Sequence, residues 1–410
     1  MATLYPFRAL RPRPSDAADI AAVPYDVVNT EEARALAAGN PKSFLRVSRP
    51  ELEMPDDTDP YSPAVYERAV SNFAALRKSS LVIEDEPSVY FYRLRMGEHE
   101  QTGIAACFSI DEYDRDLIKK HERTRKDKED DRTRHILALR AQTGPVFLVY
   151  RASADVNDIA ARVTRGTPLF DFAAPDGVHH TLWQVTGADR DGLVAAYSRI
   201  EALYIADGHH RAASAARART EMTQKGDRGE QLGDGADCNT VMAVSFPHDQ
   251  VQILPYNRIV KDLAGQSPEA FLRAVGERFT IEPGPATPAK HGDISMYFGG
   301  AWQTLRPRVK PDPNDAIASL DVSVLQDNLL APILNIKDVR TDKRIDFVGG
   351  ARGTGELERH VNSGKFAVAF SMYPVSVADL MAVSDAGEIM PPKSTWFEPK
   401  LRDGLLSHLI

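Results

Sequence analysis

The chain of 410 residues is poor in cysteine, with only Cys107 and Cys238. They lie far apart with no CxxC spacing, which excludes a zinc ribbon and leaves no disulfide framework. So little cysteine fits a reducing compartment, and a cytoplasmic location is expected. No apolar run approaches the roughly 20 residues that a membrane-spanning helix needs. The opening residues, Met1-Ala2-Thr3-Leu4-Tyr5-Pro6-Phe7-Arg8, lack the apolar stretch of a signal peptide. An excess of positive charge is missing as well. Lys and Arg number 50 against 58 Asp and Glu, for a formal net charge of −8. Nucleic-acid binding would therefore need a local basic patch, and neither nucleic acid nor membrane is expected as a partner. The chain also lacks GxxxxGK[ST] and the protein-kinase signature set, so neither a Walker-type ATPase nor a protein kinase is supported.

What is present is ordinary for a globular protein: 43% apolar, 26% charged and 8% aromatic residues. The pattern of elements predicts a mixed α/β fold of two or three compact units. Asn29 with Glu32 reads as the capping box of a helix from Thr30 to about Ala38, stopped by Gly39. Tyr66, Val70, Phe73 and Ala74 recur at helical spacing over 62–78. Val89 to Arg95 and Thr102 to Ile110 flank Gly97-Glu98-His99 as a hairpin. From Asp114 to His135 the run is densely charged with both signs, which predicts a solvated helix that meets the core at Ile136 to Leu139 and stops at Gly144-Pro145. Strands are expected at Val146 to Tyr150, Leu182 to Val185, Val241 to Phe246, Val251 to Leu254 and Phe366 to Met372. Helices are expected at Val156 to Val163 and Val377 to Ser384. Gly226 to Asp237, Gly284 to His291 and Pro307 to Asn314 read as loops.

The sharpest local signature is Ala202 to Ala206, then Asp207-Gly208-His209-His210-Arg211, then an Ala-rich run to Arg219. It reads as strand, glycine turn, helix. Glycine lets the backbone approach a ligand closely. The first amides of the helix and its positive dipole end attract anions. Arg211 adds a planar fork of donors suited to phosphate, and Asp207 can hold a metal ion or orient a histidine. A capped polar turn with surface histidines is an equal reading of the same residues. The spacing is not HxxxH or HExxH, so the turn alone is no zinc motif. His179-His180 reads as a surface loop. A second constellation is Lys119-Lys120-His121-Glu122-Arg123. A carboxylate among cations stays ionised and can take a proton from a hydroxyl. The pattern equally gives a helical salt-bridge ladder, Glu122 to Lys126 and Arg125 to Glu129. Arg258, after Tyr256-Asn257, and Lys393, in a Pro-bounded turn, could each reach an anion.

Several of these segments together are similar to a large prokaryotic family, domain of unknown function 1015. They are Val23-Pro24-Tyr25-Asp26, Asn40-Pro41-Lys42-Ser43-Phe44-Leu45-Arg46, the His121-Glu122 pair with the charged run after it, Ala206 to Arg211, and Pro255-Tyr256-Asn257-Arg258. Pro391-Pro392-Lys393-Ser394-Thr395-Trp396-Phe397-Glu398-Pro399-Lys400-Leu401 completes the set. Part of that family resembles the ParB/sulfiredoxin-like fold, and its free-serine kinase branch carries a similar Asp-Gly-His-His-Arg turn with an upstream glutamate. The resemblance implies a ParB/sulfiredoxin-like nucleotide-binding core over 101–250, an N-terminal α/β segment over 1–100 and a C-terminal one over 251–410. It implies Glu122 as base, with His121 and Asp207 beside it. Gly208, His209, His210, Arg211, Arg258 and Lys393 would bind nucleotide or phosphate, and Asp207 would bind Mg²⁺. The activity implied is a kinase acting on a hydroxyl acceptor such as free L-serine or a hydroxy acid, with ADP or ATP as donor. Three other activities fit the same residues: a phosphohydrolase, a ParB-like nucleotide-binding regulator, and a metal-dependent hydrolase using His121, His209, His210 and a carboxylate. The regulator is disfavoured by the strand and proline pattern after residue 250.

Overall fold

The computed structural model describes residues 1–224 and 237–410. The loop expected over Gly226 to Asp237 lies outside the described residues, apart from Asp237, which opens the short 3-10 helix Asp237–Asn239. The fold is mixed α/β, and its contacts group into two compact units. One comprises residues 1–251 with 399–410, the other 252–398. No helix among the described residues is long and apolar enough to cross a membrane.

The larger unit is built on a nine-stranded sheet. Its main path runs Ile118–Lys119, Leu203–Asp207, Val146–Tyr150, Thr240–Pro247, His99–Ser109, Val89–Met96, His179–Val185, Phe170–Ala173, with Leu4–Tyr5 paired to His99–Ser109. The central strands are buried on both faces, so they read as continuous apolar runs such as Val146-Phe147-Leu148-Val149-Tyr150. Phe91, Phe108, Tyr150, Tyr197, Leu203 and Ile205 belong to one core against this sheet. The expected hairpin forms, with Val89–Met96 antiparallel to His99–Ser109. So does the capping box, in which Asn29 accepts from the Glu32 amide and Glu32 from the Asn29 amide, both at 2.9 Å. Helix Pro63–Ser79 forms where expected, but its buried face is Val65, Tyr66, Ala69, Phe73 and Leu76, and Val70 and Ala74 of the expected stripe are exposed.

Two expectations are corrected. The charged run does not form one helix from Asp114. Helix Ile110–Asp114 ends, Asp116 adopts a left-handed φ of 58°, and Ile118–Lys119 pairs in parallel with Leu203 and Tyr204. Ile118, apolar in a charged run, is only 1% exposed and draws this segment to the sheet edge. The helix begins at Lys126 and ends at Leu139, with left-handed Arg140 as its cap. His179-His180 is no surface loop but the start of strand His179–Val185. His180 is fully buried, and burial and the nearby Arg402 hold its pKa down at about 2.

The smaller unit carries a six-stranded antiparallel sheet. Its order is Phe279–Pro283, Ala301–Pro307, Ile294–Phe298, Val368–Ser371, Tyr256–Val260, Ile345–Gly349. Helices Pro268–Arg278 and Thr354–Asn362 pack on these strands. A short ribbon pairs Gln252–Leu254 with Trp396–Glu398.

Candidate functional site

Parallel pairing of Ile118–Lys119 with Leu203–Asp207 makes both strands end on the same side of the sheet. In open α/β sheets, the crevice outside the carboxyl ends of parallel strands is where ligands bind. One strand delivers His121 and Glu122 there. The other delivers Asp207, Gly208 and the helix His209–Gln224. Gly208 has φ of +92°, a conformation that side chains strain to adopt, so glycine is required at this turn.

Around the turn the adjacent histidines diverge. His209 faces back toward the first strand, its ring edge-on to that of His121 with centroids 4.5 Å apart. Its Nδ1 lies 3.9 Å from Glu122 Oε2, and its Nε2 accepts a long 3.4 Å bond from the His121 amide. His210 turns aside, and its Nε2 accepts from the Arg125 amide at 3.0 Å. Burial, with His121 beside it, pushes the His209 pKa well down, and burial holds His121 down at about 4. Both rings are therefore neutral at pH 7. Neither ring nitrogen of His121 makes a hydrogen bond of ordinary geometry, although the Ile205 backbone is near enough to favour the charged ring slightly. Unlike buried His121 and His209, Glu122 keeps a side chain 48% exposed. It lies in the loop ahead of helix Lys126–Leu139 rather than on the helix that the ladder reading assumed. Glu129, the ladder's other carboxylate, accepts instead from Thr124 at 3.0 Å and lies 3.5 Å from Arg217.

The chain's last segment supplies groups that local sequence patterns did not reveal. Lys400 Nζ donates to Asp207 Oδ2 at 2.9 Å. Burial favours the neutral acid of Asp207, but Lys400 and Arg211 outweigh it and keep the carboxyl well below the usual range. A carboxylate already engaged by an ammonium is a poor fit for a resident Mg²⁺. Arg211 points inward rather than toward solvent. It donates to the Pro145 carbonyl at 2.8 Å and to Asp26 Oδ1 at 3.2 Å, and its guanidinium lies 5.7 Å from the Tyr25 ring centre. Arg132 stacks closer on the same ring, at 4.2 Å. Behind the turn is a cavity of about 40 Å³ lined in part by Tyr25, Arg132, His135, Gln142, Arg211 and Asp403. That volume has room for a water molecule. Gly144 makes room for the Asp403 carboxylate, because a Cβ there would lie 2.6 Å from Asp403 Oδ1. Tyr25-Asp26 and Lys400 each sit in a segment already singled out by family resemblance. Asp403, just beyond the last one, carried no such signal.

Asp403 is 3% exposed, and its Oδ1 has no hydrogen-bond partner. Burial, only partly offset by Arg211, pushes its pKa up to about 7. A raised carboxyl pKa adds stability that is fully present below its unfolded value near 4 and is lost as pH rises through about 7. The lowered histidines act with the opposite sign, so the test is a difference. Asp403→Asn should gain stability relative to the parent as pH rises from 4 to 8, measured by urea unfolding at each pH. A constant difference would rule the shift out.

Arg258 and Lys393 belong to the smaller unit and are brought together there. Arg258 donates to the Lys393 carbonyl at 3.0 Å and also to that of Tyr256, pinning the turn before strand Trp396–Glu398. Lys393 holds a left-handed φ of 58°, and its ammonium is 5.4 Å from the Tyr256 ring centre.

Among solved structures, the chain is similar to a mutant of a free serine kinase in complex with AMP, at 13% identity and a TM-score of 0.37, covering 73% of this chain and 92% of that one. It is also similar to a conserved hypothetical protein from Pyrococcus furiosus, at 12% identity and a TM-score of 0.36, covering 74% and 94%. A third is SbnI with a C-terminal truncation from Staphylococcus aureus, at 13% identity and a TM-score of 0.37, covering 73% and 85%. No curated protein matches the chain. Residues 4–323 match the family described as protein of unknown function (DUF1015), and the chain belongs to that family.

Proposed function

We propose that the protein is a nucleotide-dependent phosphotransferase acting on a small hydroxyl acceptor, with free L-serine as the first candidate. The observation that carries this reading is one juxtaposition. A half-exposed carboxylate, Glu122, lies 3.9 Å from His209, the first residue of a helix that follows a glycine turn at the carboxyl ends of two parallel strands. Phosphoryl transfer needs a phosphate cradle, a positioned hydroxyl and a base, and little covalent chemistry from the protein. The Arg211 amide already donates to the Gly208 carbonyl at 2.9 Å, so the amides of His209 and His210 ahead of it would bind phosphate oxygens at the helix's positive end. Glu122 would take the proton of the acceptor hydroxyl. Neutral His121 and His209 would shape the space between base and cradle without adding charge. Arg211 would act from behind, fixing the turn through Pro145 and Asp26. Lys400 keeps Asp207 ionised but occupied, so Mg²⁺ would enter with the donor, ADP or ATP, held chiefly by phosphate oxygens.

The test is a thermal-shift screen of nucleotides with Mg²⁺, followed by phosphorus NMR with serine and other hydroxy acids. A ligand at a hundredfold excess over Kd adds about 2.7 kcal/mol of stability, which such a screen detects. Stabilisation by ADP or ATP and a new phosphomonoester signal are expected. Release of inorganic phosphate without a phosphomonoester would make the protein a phosphohydrolase. No stabilisation by any nucleotide would end the proposal.

A further inference from the structure

Three side chains at the strand ends, the proposed base Glu122 among them, also form a set of metal-donor groups. The donor atoms of His121, Glu122 and His209 all lie within 4.8 Å of one another. We propose that His121, Glu122 and His209 bind a first-row divalent transition cation, with Zn²⁺ as the representative ion.

The donor types argue for that class. Two imidazoles with one carboxylate suit Zn²⁺, Fe²⁺ or Mn²⁺, and zinc sites of this composition leave a position open. Mg²⁺ prefers oxygen donors and an octahedral water shell, so it competes poorly here. His121 supplies an independent sign. The residue is 2% exposed, yet neither ring nitrogen makes a hydrogen bond of ordinary geometry, with only the Ile205 backbone near the ring. A buried polar atom left unpaired is destabilising by roughly 1–3 kcal/mol, and buried polar groups almost always find a partner. A cation between the two rings gives one of those nitrogens its partner.

The geometry needs only a small contraction. Donor atoms about 2.0–2.2 Å from a zinc ion stand closer together than these do. Glu122 is the mobile member, because its side chain is 48% exposed on a loop while both histidines are packed. His209 presents Nδ1 to Glu122. Coordination through Nδ1 moves the ring proton to Nε2, and the bond from the His121 amide is given up. At 3.4 Å that bond is already beyond the usual range for N–H donors, so little is lost. His210 is excluded from the set, since its Nε2 is taken by the Arg125 amide. A bound cation also occupies the lone pair of Glu122 that would accept a proton. Metal binding and base function at Glu122 therefore exclude each other, and Zn²⁺ would act as an inhibitor of transfer.

The test uses the full chain without an expression tag. Zn²⁺ is titrated by calorimetry, and Co²⁺ by its visible absorption, which reports nitrogen ligation in a low-coordinate site. One equivalent is expected to bind, with Co²⁺ showing the intense bands of four or five ligands. Losing an outer partner of a metal ligand weakens binding about 10–100-fold, so His121→Ala and His209→Ala should each weaken it by at least that much. Glu122→Gln provides the arm that is safe for folding, because it changes an exposed side chain, and it should also weaken binding. His210→Ala should not. Absence of stoichiometric binding, or binding unchanged in both His121→Ala and Glu122→Gln, would overturn the metal site. Nucleotide binding is measured separately in metal-free buffer. A chain that binds nucleotide but not Zn²⁺ refutes this inference alone, and the reverse refutes only the transferase.

Discussion

Glu122→Gln should leave nucleotide binding intact and lower turnover about 10²–10⁴-fold, the loss typical of a removed general base. The amide keeps the shape of the carboxylate but cannot accept the proton. The side chain is 48% exposed, so water can solvate the amide much as it solvates the carboxylate. Stability should therefore be nearly unchanged, which separates a chemical effect from a folding one. Glu98, exposed at the tip of the first hairpin, is the matching control, and Glu98→Gln should turn over normally. Glu129 is a poorer control because it holds Arg217 and Thr124. Steady-state kinetics with a saturating acceptor makes the comparison. Equal turnover by the parent and Glu122→Gln would move the base elsewhere.

Arg211→Ala should destabilise the fold by roughly 3 kcal/mol, the low end of the 3–5 kcal/mol measured when a buried ion pair loses one partner. The low end applies because its partner Asp26 keeps 37% of its side-chain surface and can turn to water. Arg211 itself is 9% exposed and faces the carboxylates of Asp26, Asp207 and Asp403. Together they raise its pKa above the ordinary value in spite of burial. Removing it leaves Asp403 in a small cavity with less positive charge, so its acid form should be favoured further. Arg211→Lys keeps the charge but cannot hold Pro145 and Asp26 with one planar fork, and should fall between the two. Urea unfolding of the three proteins gives the order. A variant as stable as the parent would mean the inward network contributes nothing.

The local elements were written in the sequence because their signals are local. The capping box at Asn29 and Glu32, the hairpin around Gly97, the apolar spacing of 62–78 and the strand–glycine–helix turn at Asp207 each depend on residues within a few positions of one another. The divergence of His209 and His210 also follows from helical geometry, in which neighbouring side chains do not face each other. The charged run misled because sign and density say nothing about where an edge strand will capture an apolar residue. Ile118 pairs beside Leu203, 85 positions later in the chain, and that pairing turns Glu122 out of a helix and into the site.

Sequence alone thus determined the mixed α/β class, the family and the strand–glycine–helix turn. Only the tertiary structure decided which residues meet there. Lys400 reaches Asp207 and Asp403 reaches the Arg211 cavity because the last twelve residues return to the larger unit. Such pairings are set by the summed burial of strands and helices far apart in sequence. That burial turned Arg211 inward, packed His121 edge-on against His209, and kept Glu122 half exposed beside them.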